Sequence, residues 1–337
     1  MRTMRALVLT GPGLARIQDV DVPTPGPGDA VVAVHLVGVC GTDLELASGD
    51  MAYLASGRTS YPLRPGHEWS GVVRAIGEGV DPAWVGRRVT GDTMLACGRC
   101  DRCLAGRRHV CRHLAEVGIS GYPGALAEQL RVPVDSLLHL PDTVDDAAGA
   151  MVEPGGNAWR ASDAALAGPG IRVLVWGAGT IGLLAAAFAV AAGAEVHVVA
   201  RRQASRDLAM RFGVAATWTP ERLPDGPIHS VIDATDDPDV PAAAVRAVEP
   251  GGRVVYIGLA GTPSRIDTRD LVFGDLTAVG ILGGSPGLAH AIEAYAAGRV
   301  DPAPLVGRTV GLADAPGVLD GTIRGDTGPK VHIDPRR

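Results

Sequence analysis

Four of the five cysteines lie within fifteen residues, and this cluster constrains the fold more than any other feature of the chain. They follow a C-x2-C-x2-C-x7-C pattern, which matches a closed tetrahedral zinc site held by four thiolates. The alternative, four unrelated buried cysteines, fits this close spacing poorly. We therefore predict a structural zinc lobe over residues 92–113 with these ligands: Cys97, Cys100, Cys103 and Cys111.

The remaining cysteine suggests a second, open metal site. Cys40 ends a strand-like apolar run, and the tripeptide Gly66-His67-Glu68 directly precedes another such run. Taken singly, each residue has a structural explanation, because buried cysteines are common and a lone histidine is usually structural. Taken together, an isolated Cys and a His match a catalytic zinc site, which keeps one coordination position for water or substrate.

A dinucleotide-binding turn is indicated further along the chain. The apolar strand 173–176 is followed by Gly177-Ala178-Gly179-Thr180-Ile181-Gly182 and then by an apolar helix. In this order the first glycine permits a tight turn, the second lets the backbone approach a pyrophosphate, and the third packs helix on strand. The phosphates then lie at the N-terminus of the helix. A glycine-rich turn without a ligand is the weaker alternative.

The coenzyme is predicted from the end of the next strand. An acidic residue about 20 positions after the glycines would bind the ribose hydroxyls of NAD. Here the strand ends in Ala200 and is followed by Arg201 and Arg202, with no acid to hold the ribose or repel a phosphate. Guanidinium groups suit a 2′-phosphate, although both arginines could simply be solvated. We therefore expect NADP rather than NAD, with Arg201 favoured, and we add Thr235 and Gly258 to the coenzyme site.

Composition and charge exclude several classes of protein. A net charge of −6 argues against a nucleic-acid surface or an anionic membrane as partner. No run of 18 apolar residues is present, and the N-terminus lacks the apolar core and cleavage site of a signal peptide. Because the cysteines suit metal better than disulfides, we expect a cytoplasmic protein.

The pattern of the chain predicts two domains in an α/β fold. At 337 residues the chain is too long for one ordinary core. Residues 1–148 read as short strands broken by Gly and Pro, which predicts a small β-barrel-like domain. Residues 149–286 alternate strand and helix, which predicts a doubly wound parallel sheet that binds the coenzyme. We assign residues 287–337 to a return into the first domain.

Five ordered motifs resemble the zinc-dependent medium-chain dehydrogenase/reductase family, and the resemblance covers essentially the whole chain. They are Cys40-Gly41-Thr42-Asp43, Gly66-His67-Glu68, the cysteine lobe, Val152-Glu153-Pro154 and the glycine turn. The resemblance implies a GroES-like catalytic domain beside a Rossmann domain, two zinc ions per chain and a homodimer or homotetramer. It implies Cys40 and His67 as catalytic zinc ligands, with Asp43 orienting His67.

The sorbitol and glucose dehydrogenase-like branch resembles the chain most, because both Glu68 and Glu153 are glutamates. Either one could complete the zinc site, and the sequence does not choose between them. Thr42 would take the substrate proton. Glu45 stands where relatives often have a histidine, so the proton relay could end in a carboxylate or in solvent.

The resulting functional prediction is hydride transfer between NADP and a secondary alcohol or ketone, or a polyol, sugar or cyclitol. One alternative is a dehydrogenase of simple alcohols or aldehydes that uses NAD. A more remote alternative is a non-catalytic NADP-binding protein on the same fold.

Overall fold

The computed structural model describes residues 2–337. The strands are, in chain order, β1 (Thr3–Leu9), β2 (Ala15–Asp21), β3 (Asp29–Gly38), β4 (Glu68–Ile76), β5 (Arg88–Gly91), β6 (Met94–Leu95), β7 (Ala115–Val117), β8 (Gly121–Tyr122), β9 (Gln129–Pro133), β10 (Leu137–His139), β11 (Arg172–Trp176), β12 (Glu195–Val199), β13 (Ala216–Trp218), β14 (Ser230–Asp233), β15 (Arg253–Tyr256), β16 (Thr277–Gly280), β17 (Val306–Gly311) and β18 (Lys330–Asp334).

The α-helices are α1 (Gly41–Ser48), α2 (Ala52–Ala55), α3 (Asp101–Leu104), α4 (Asp146–Ala150), α5 (Val152–Ala164), α6 (Thr180–Ala191), α7 (Gln203–Met210), α8 (Val240–Ala247), α9 (Thr268–Phe273), α10 (Leu288–Ala296) and α11 (Ala315–Leu319). Short 3-10 turns occupy Pro82–Trp84, Arg108–Val110, Val134–Ser136, Ser285–Gly287, Ala303–Leu305 and Leu312–Asp314. Among residues 2–337, no helix combines the length and the apolar character needed to cross a bilayer.

The chain forms two units. The first contains the residues up to Glu153 together with Asp301–Arg337, and the second contains Pro154–Val300. The sequence predicts this second boundary at residue 287, whereas the structure has it between Val300 and Asp301. Helix α10 belongs to the second unit because its aromatic side chains pack there: Tyr295 stacks on Phe188, with ring centroids 6.2 Å apart. An apolar helix near the end of a domain does not reveal from sequence which core it joins.

The first unit is a mainly antiparallel β-structure built around β3. Its largest sheet has the order β10-β5-β4-β3-β18-β17, and β9 also pairs with β3. Strand β3 is rich in valine and largely buried, as a central strand flanked on both sides should be. The register sets Gly38 of β3 opposite both Glu68 of β4 and His332 of β18. The end of β3 and the starts of β4 and β18 therefore meet at one place in the sheet.

The second unit contains a six-stranded parallel sheet in the order β13-β12-β11-β14-β15-β16. Counted from β11 this is 3-2-1-4-5-6, the doubly wound order of dinucleotide-binding domains. Helices α6, α7 and α8 connect these strands and pack against them. The predicted α/β fold class with a parallel Rossmann sheet is confirmed. In such a sheet, ligands bind at the carboxyl ends of the strands where the strand order reverses, here beside β11 and β14.

Candidate functional site

The structure brings Cys40, His67 and Glu68 together in the first unit. One ligand atom from each of the three side chains lies within 4.8 Å of the other two. Cys40 precedes α1 directly after β3, whereas His67 and Glu68 stand at the start of β4. The pairing of β3 with β4 therefore assembles the group from distant positions in the chain. A thiolate, an imidazole and a carboxylate at this spacing are a donor set that zinc accepts.

Asp43 is fully buried on α1 and supports this group. Its Oδ2 accepts a hydrogen bond from the Cys40 N–H at 2.9 Å, and its Oδ1 accepts one from the Gly66 N–H at 3.0 Å. The same Oδ1 lies 3.5 Å from His67 Nδ1. Burial raises the pKa of Asp43, but His67 and the two N–H donors outweigh burial and hold that pKa below its usual value. An ionised carboxylate behind the imidazole fixes the orientation of the ring.

The electrostatic field beside His67 favours a cation. Burial lowers the pKa of the imidazole, yet the negative charges of Asp43 and Cys40 raise it well above its usual value. Gly66, which precedes His67, has φ of +97°, and a Cβ there would approach Leu126 N to 2.9 Å. Only glycine fits this bend without strain, and the bend directs its N–H toward Asp43.

Lys330 is a component of the site that no sequence pattern indicates. It is the only lysine among 31 lysine and arginine residues. Its Nζ donates to Oε1 and Oε2 of Glu68 at 2.8 and 2.6 Å and to the Val39 carbonyl oxygen at 3.0 Å. Burial lowers the pKa of Lys330, but Glu68 and Cys40 raise it above its usual value. The charge of Glu68 is therefore compensated from the side of β18.

The other residues predicted for this site differ in their burial and in their distance along the chain from Cys40. Glu153 is buried in the first turn of α5, and the group within 4.8 Å described above, found among residues 2–337, does not include it. Thr42 is half-buried in the first turn of α1, close to Cys40 in the chain. Glu45 is exposed on the same helix. Glu68 therefore lies beside Cys40 and His67, and Glu153 stays a prediction as the alternative third ligand.

The four clustered cysteines form a compact group in the loop between β6 and β7. The Sγ–Sγ distances are 3.4 Å for Cys97–Cys111 and Cys100–Cys103, and 3.8 Å for Cys100–Cys111. Four sulfurs at about 2.3 Å from one zinc ion are about 3.8 Å apart in a tetrahedron, so the group fits zinc. Backbone N–H groups of Arg112 and Cys103 lower the pKa of Cys100 to about 6. The backbone thus favours the thiolate form, which is the form that binds metal.

The glycine turn has the geometry that a pyrophosphate requires. Gly177 has φ of +102°, and a Cβ there would lie 2.8 Å from Ala234 O. A Cβ on Gly182 would lie 1.9 Å from Gly177 O, so α6 packs directly on the turn. Gly179 precedes α6 without any side-chain cap, and the next residues are Thr180 and Ile181. The first N–H groups of this helix are therefore available to an anion.

Thr235 and Gly258 lie at the carboxyl ends of β14 and β15. Thr235 donates from its N–H and its Oγ1 to Asp233 Oδ1, at 3.0 and 2.7 Å. A Cβ on Gly258 would lie 1.9 Å from Thr235 O, so the two loops are in close contact. Both residues thus stand at the edge of the sheet where the glycine turn lies.

The arginine pair after β12 has an acidic partner, which corrects the expectation that no acid is available there. Arg201 forms a hydrogen-bonded ion pair with Asp237, which follows β14. Arg206 donates from Nη1 to the carbonyl oxygens of Ala200 and Arg201, both at 2.7 Å. Arg202 is exposed and precedes α7. The expectation was wrong because it considered only residues near the strand end in sequence, whereas Asp237 arrives from another strand.

A second charged group lies near His67; Arg58 and Tyr53 could be considered as contacts to a polar substrate from the sequence, whereas Glu116 could not. Arg58 Nη2 donates to Glu116 Oε2 at 2.8 Å, and the Arg58 guanidinium lies 4.1 Å from the centroid of the Tyr53 ring. Burial raises the pKa of Glu116, while Arg58 and His67 act to lower it. Val117, next to Glu116 in β7, donates its N–H to Thr93 O at 3.0 Å, and Thr93 Oγ1 donates to His67 O at 3.1 Å, so β7 brings Glu116 near the candidate metal group. Glu116 and Arg58 are 58 residues apart in the chain, so no local pattern links them.

Comparisons with known proteins match both units. Residues 26–142 match the family model described as alcohol dehydrogenase GroES-like domain, and residues 180–297 match the one described as zinc-binding dehydrogenase. The L-threonine 3-dehydrogenase of Deinococcus radiodurans is 33% identical over 98% of this chain and 98% of its own. That of Pyrococcus horikoshii is 35% identical over 83% of each chain.

Solved structures agree over nearly the whole length. A Sinorhizobium meliloti protein bound to NADP superimposes with a TM-score of 0.91, at 30% identity over 99% of this chain and all of its own. An Escherichia coli alcohol dehydrogenase bound to NADH also gives 0.91, at 26% identity over the same shares.

Fold, donor groups and relatives together define the class, a zinc-type oxidoreductase that acts on alcohols with a nicotinamide coenzyme. The chain belongs to the zinc-binding medium-chain alcohol dehydrogenase family.

Proposed function

We propose that the protein is an NADP-dependent dehydrogenase that interconverts a secondary alcohol and its ketone within a polyhydroxylated substrate, such as a polyol, sugar or cyclitol. The observation that carries this proposal is the approach of Cys40, His67 and Glu68 to within 4.8 Å of one another, in a chain that also has a pyrophosphate-binding glycine turn. A non-catalytic NADP-binding protein would have no need for this donor set, in which His67 and Glu68 are buried.

The catalytic zinc would be held by Cys40, His67 and Glu68. Bound there, zinc supplies a Lewis acid that makes a substrate hydroxyl easier to deprotonate. Asp43 keeps the imidazole oriented, and Lys330 compensates the charge of Glu68. Glu153 is the alternative third ligand. Zinc content separates the two: Glu68→Gln should lose the catalytic equivalent, whereas Glu153→Gln should keep it, and the reverse result would move the assignment to Glu153.

The substrate proton would leave through Thr42. This residue is half-buried and two positions from Cys40, where its hydroxyl can accept a proton and pass it on. Exposed Glu45, on the next turn of the same helix, would be the last group before solvent. Thr42→Val should lower kcat by about 100-fold or more, whereas Glu45→Gln should lower it by less than about tenfold. Equal activity of Thr42→Val and the unmodified protein would remove Thr42 from the mechanism.

The coenzyme would be NADP, held at the glycine turn with its 2′-phosphate on Arg201 and Arg202. When bound, the coenzyme would supply a nicotinamide ring as acceptor or donor of the hydride. The NADP-bound relative supports this choice, although the NADH-bound relative keeps NAD open. Arg201→Ala should raise KM for NADP by about tenfold or more and leave KM for NAD almost unchanged. Equal changes for both coenzymes would discard the 2′-phosphate role.

The substrate class is supported by the charged group formed by Arg58, Glu116 and Tyr53 near His67. Such side chains offer several donors and acceptors to a substrate rich in hydroxyls. They also favour a second candidate, a β-hydroxy amino acid such as L-threonine, whose carboxylate and ammonium would complement Arg58 and Glu116. The relatives called L-threonine 3-dehydrogenases support this second candidate. Simple alcohols need none of these groups.

The test is the rate of coenzyme reduction on a panel of polyols, sugars, cyclitols, L-threonine and simple alcohols. The proposal expects turnover on a polyhydroxylated compound with NADP. Preference for L-threonine selects the second candidate, and Arg58→Gln should then raise KM for L-threonine but not for an alcohol without charge. Binding of NADP without turnover on any compound would support the non-catalytic alternative.

Assembly would be a homodimer or homotetramer formed through the edge of the parallel sheet. Strand β16 is one of the two edge strands, and Val272 and Phe273 of helix α9, which precedes it, are strongly exposed. A second copy that extends the sheet would cover both the edge and these side chains. Phe273→Asp should therefore shift the mass measured by light scattering toward the monomer. We also propose a cytoplasmic location, because none of the five cysteines forms a disulfide.

A further inference from the structure

The ion pair between Arg201 and Asp237 joins the two loops that follow the strands on either side of β11. Strands β12, β11 and β14 are neighbours, and their register sets Val199, Trp176 and Asp233 side by side. Arg201 follows β12, Asp237 follows β14, and Gly177 follows β11 between them. The two outer strands are about 9.5 Å apart, a gap that an arginine and an aspartate can span together. The pair thus bridges the carboxyl end of β11, where a dinucleotide would approach the turn.

Both partners of this ion pair are held in place by other contacts. Asp237 Oδ1 accepts a hydrogen bond from the Asp239 N–H at 3.0 Å, which leaves Oδ2 for Arg201. On the other side, Arg206 holds the carbonyl oxygen of Arg201 at 2.7 Å. Asp237 is 22% exposed and Arg201 is 73% exposed, so the carboxylate is shielded while the guanidinium still faces solvent. The carboxylate is therefore a built component of this site rather than a loose surface charge.

A 2′-phosphate and the Asp237 carboxylate need the same donors. A guanidinium binds either group through parallel N–H bonds. A phosphate that binds Arg201 must displace the carboxylate or lie beside it, and both cost free energy through a lost bond or through repulsion between negative charges. A ribose with a free 2′-hydroxyl carries no such charge and avoids this cost.

We propose that Asp237 sets the coenzyme selectivity of this enzyme by competing with the 2′-phosphate of NADP for Arg201. The inference rests on the proposed binding of that phosphate by Arg201. Asp237 then limits the preference for NADP, and its removal sharpens that preference. Neither the glycine turn nor the end of β12 encodes this effect, because the competing charge comes from the loop after β14.

The experiment measures binding rather than turnover. ADP-ribose and its 2′-phosphate derivative are titrated by calorimetry into the zinc-replete protein, so that the two ligands differ only in the phosphate. Asp237→Asn keeps the oxygen that accepts the Asp239 N–H but removes the charge. It should lower Kd for the 2′-phosphate ligand about 5- to 10-fold and change Kd for ADP-ribose by less than about twofold. This gain in affinity for the 2′-phosphate ligand should become smaller at high salt.

The matched control is Asp239→Asn. It removes the same charge two residues along the loop from an exposed side chain that caps no helix N–H, and it should change Kd for the 2′-phosphate ligand by less than about twofold. In an Arg201→Gln background, Asp237→Asn should no longer raise the affinity for the 2′-phosphate ligand, because the competition acts through Arg201. A gain that persists in that background, or one that Asp239→Asn reproduces, would overturn the inference.

The design separates failure of this inference from failure of the proposed function. If Arg201→Gln weakens the 2′-phosphate ligand but Asp237→Asn does not strengthen it, the role of Asp237 is wrong and NADP binding by Arg201 stands. If Arg201→Gln leaves the 2′-phosphate ligand unaffected, the proposed role of Arg201 fails, and the inference fails with it.

Discussion

Replacement of Lys330 by methionine should strongly destabilise the first unit. The Lys330 and Glu68 side chains are only 3% and 1% exposed. Water therefore cannot solvate either charge if its partner is removed. Removing the ammonium group leaves both oxygens of Glu68 and the Val39 carbonyl oxygen without their donor. Removing one partner of a buried ion pair costs about 3–5 kcal/mol. In a unit of this size that corresponds to a fall in Tm of roughly 10 °C.

The assay is calorimetric unfolding of the metal-free protein, in which no zinc ion compensates the charge of Glu68, with two comparison variants. Arg308→Met breaks the Arg308–Asp326 ion pair, which is in the same unit but exposed (40% and 63%), and should cost no more than about 1 kcal/mol. The double variant Lys330→Met/Glu68→Gln removes the uncompensated charge and should recover about half of the loss. A Lys330→Met protein as stable as Arg308→Met, or a double variant no better than the single one, would refute the reasoning.

Four other substitutions test separate parts of the structure. Asp43→Asn should lower zinc affinity at the His67 site about 10- to 100-fold, measured by competition with a chelator. Cys100→Ser should remove the structural zinc equivalent and lower Tm, and a full zinc content would contradict the four-cysteine assignment. Gly182→Ala should weaken NADP and NAD binding alike, because the added Cβ would lie 1.9 Å from the glycine-turn carbonyl oxygen. Hydrogen bonds from His35 and Arg88 lower the pKa of Asp146 from 3.8 to about 2. Ionised Asp146 therefore stabilises the fold fully above pH 3.8, and this contribution is lost as the pH falls through about 2. Asp146→Asn should therefore cost about 1 kcal/mol at pH 7 and clearly less at pH 3 in urea unfolding.

Features encoded by local patterns could be predicted from the sequence. The cysteine lobe lies within one loop, so the spacing of Cys97, Cys100, Cys103 and Cys111 already predicts that their sulfurs can meet around one ion. The glycine turn combines a strand, three glycines and a helix in one continuous segment, and the parallel sheet follows from the alternation of strands and helices. These signals led to the fold class and to the enzyme class, both of which are confirmed.

Features created by strand order could not be predicted in this way. Lys330 meets Glu68 across 262 residues because β18 lies beside β3, and Asp237 meets Arg201 because β12 and β14 flank β11. Glu116 of β7 meets Arg58, which lies in the loop after α2, across 58 residues. Composition offers one signal: the chain has a single lysine and otherwise uses arginine for its basic residues, which indicates a specific role for Lys330. The sequence does not identify its partner.

The most direct test of the central claim is the rate of coenzyme reduction by the zinc-replete protein, measured with NADP and NAD in parallel on the substrate panel beside the Cys40→Ser variant. The account predicts turnover of a polyhydroxylated alcohol with NADP, together with loss of turnover but retained NADP binding in Cys40→Ser. Turnover that survives in Cys40→Ser would contradict the metal centre at Cys40 and His67, and activity with NAD alone would contradict the role of Arg201.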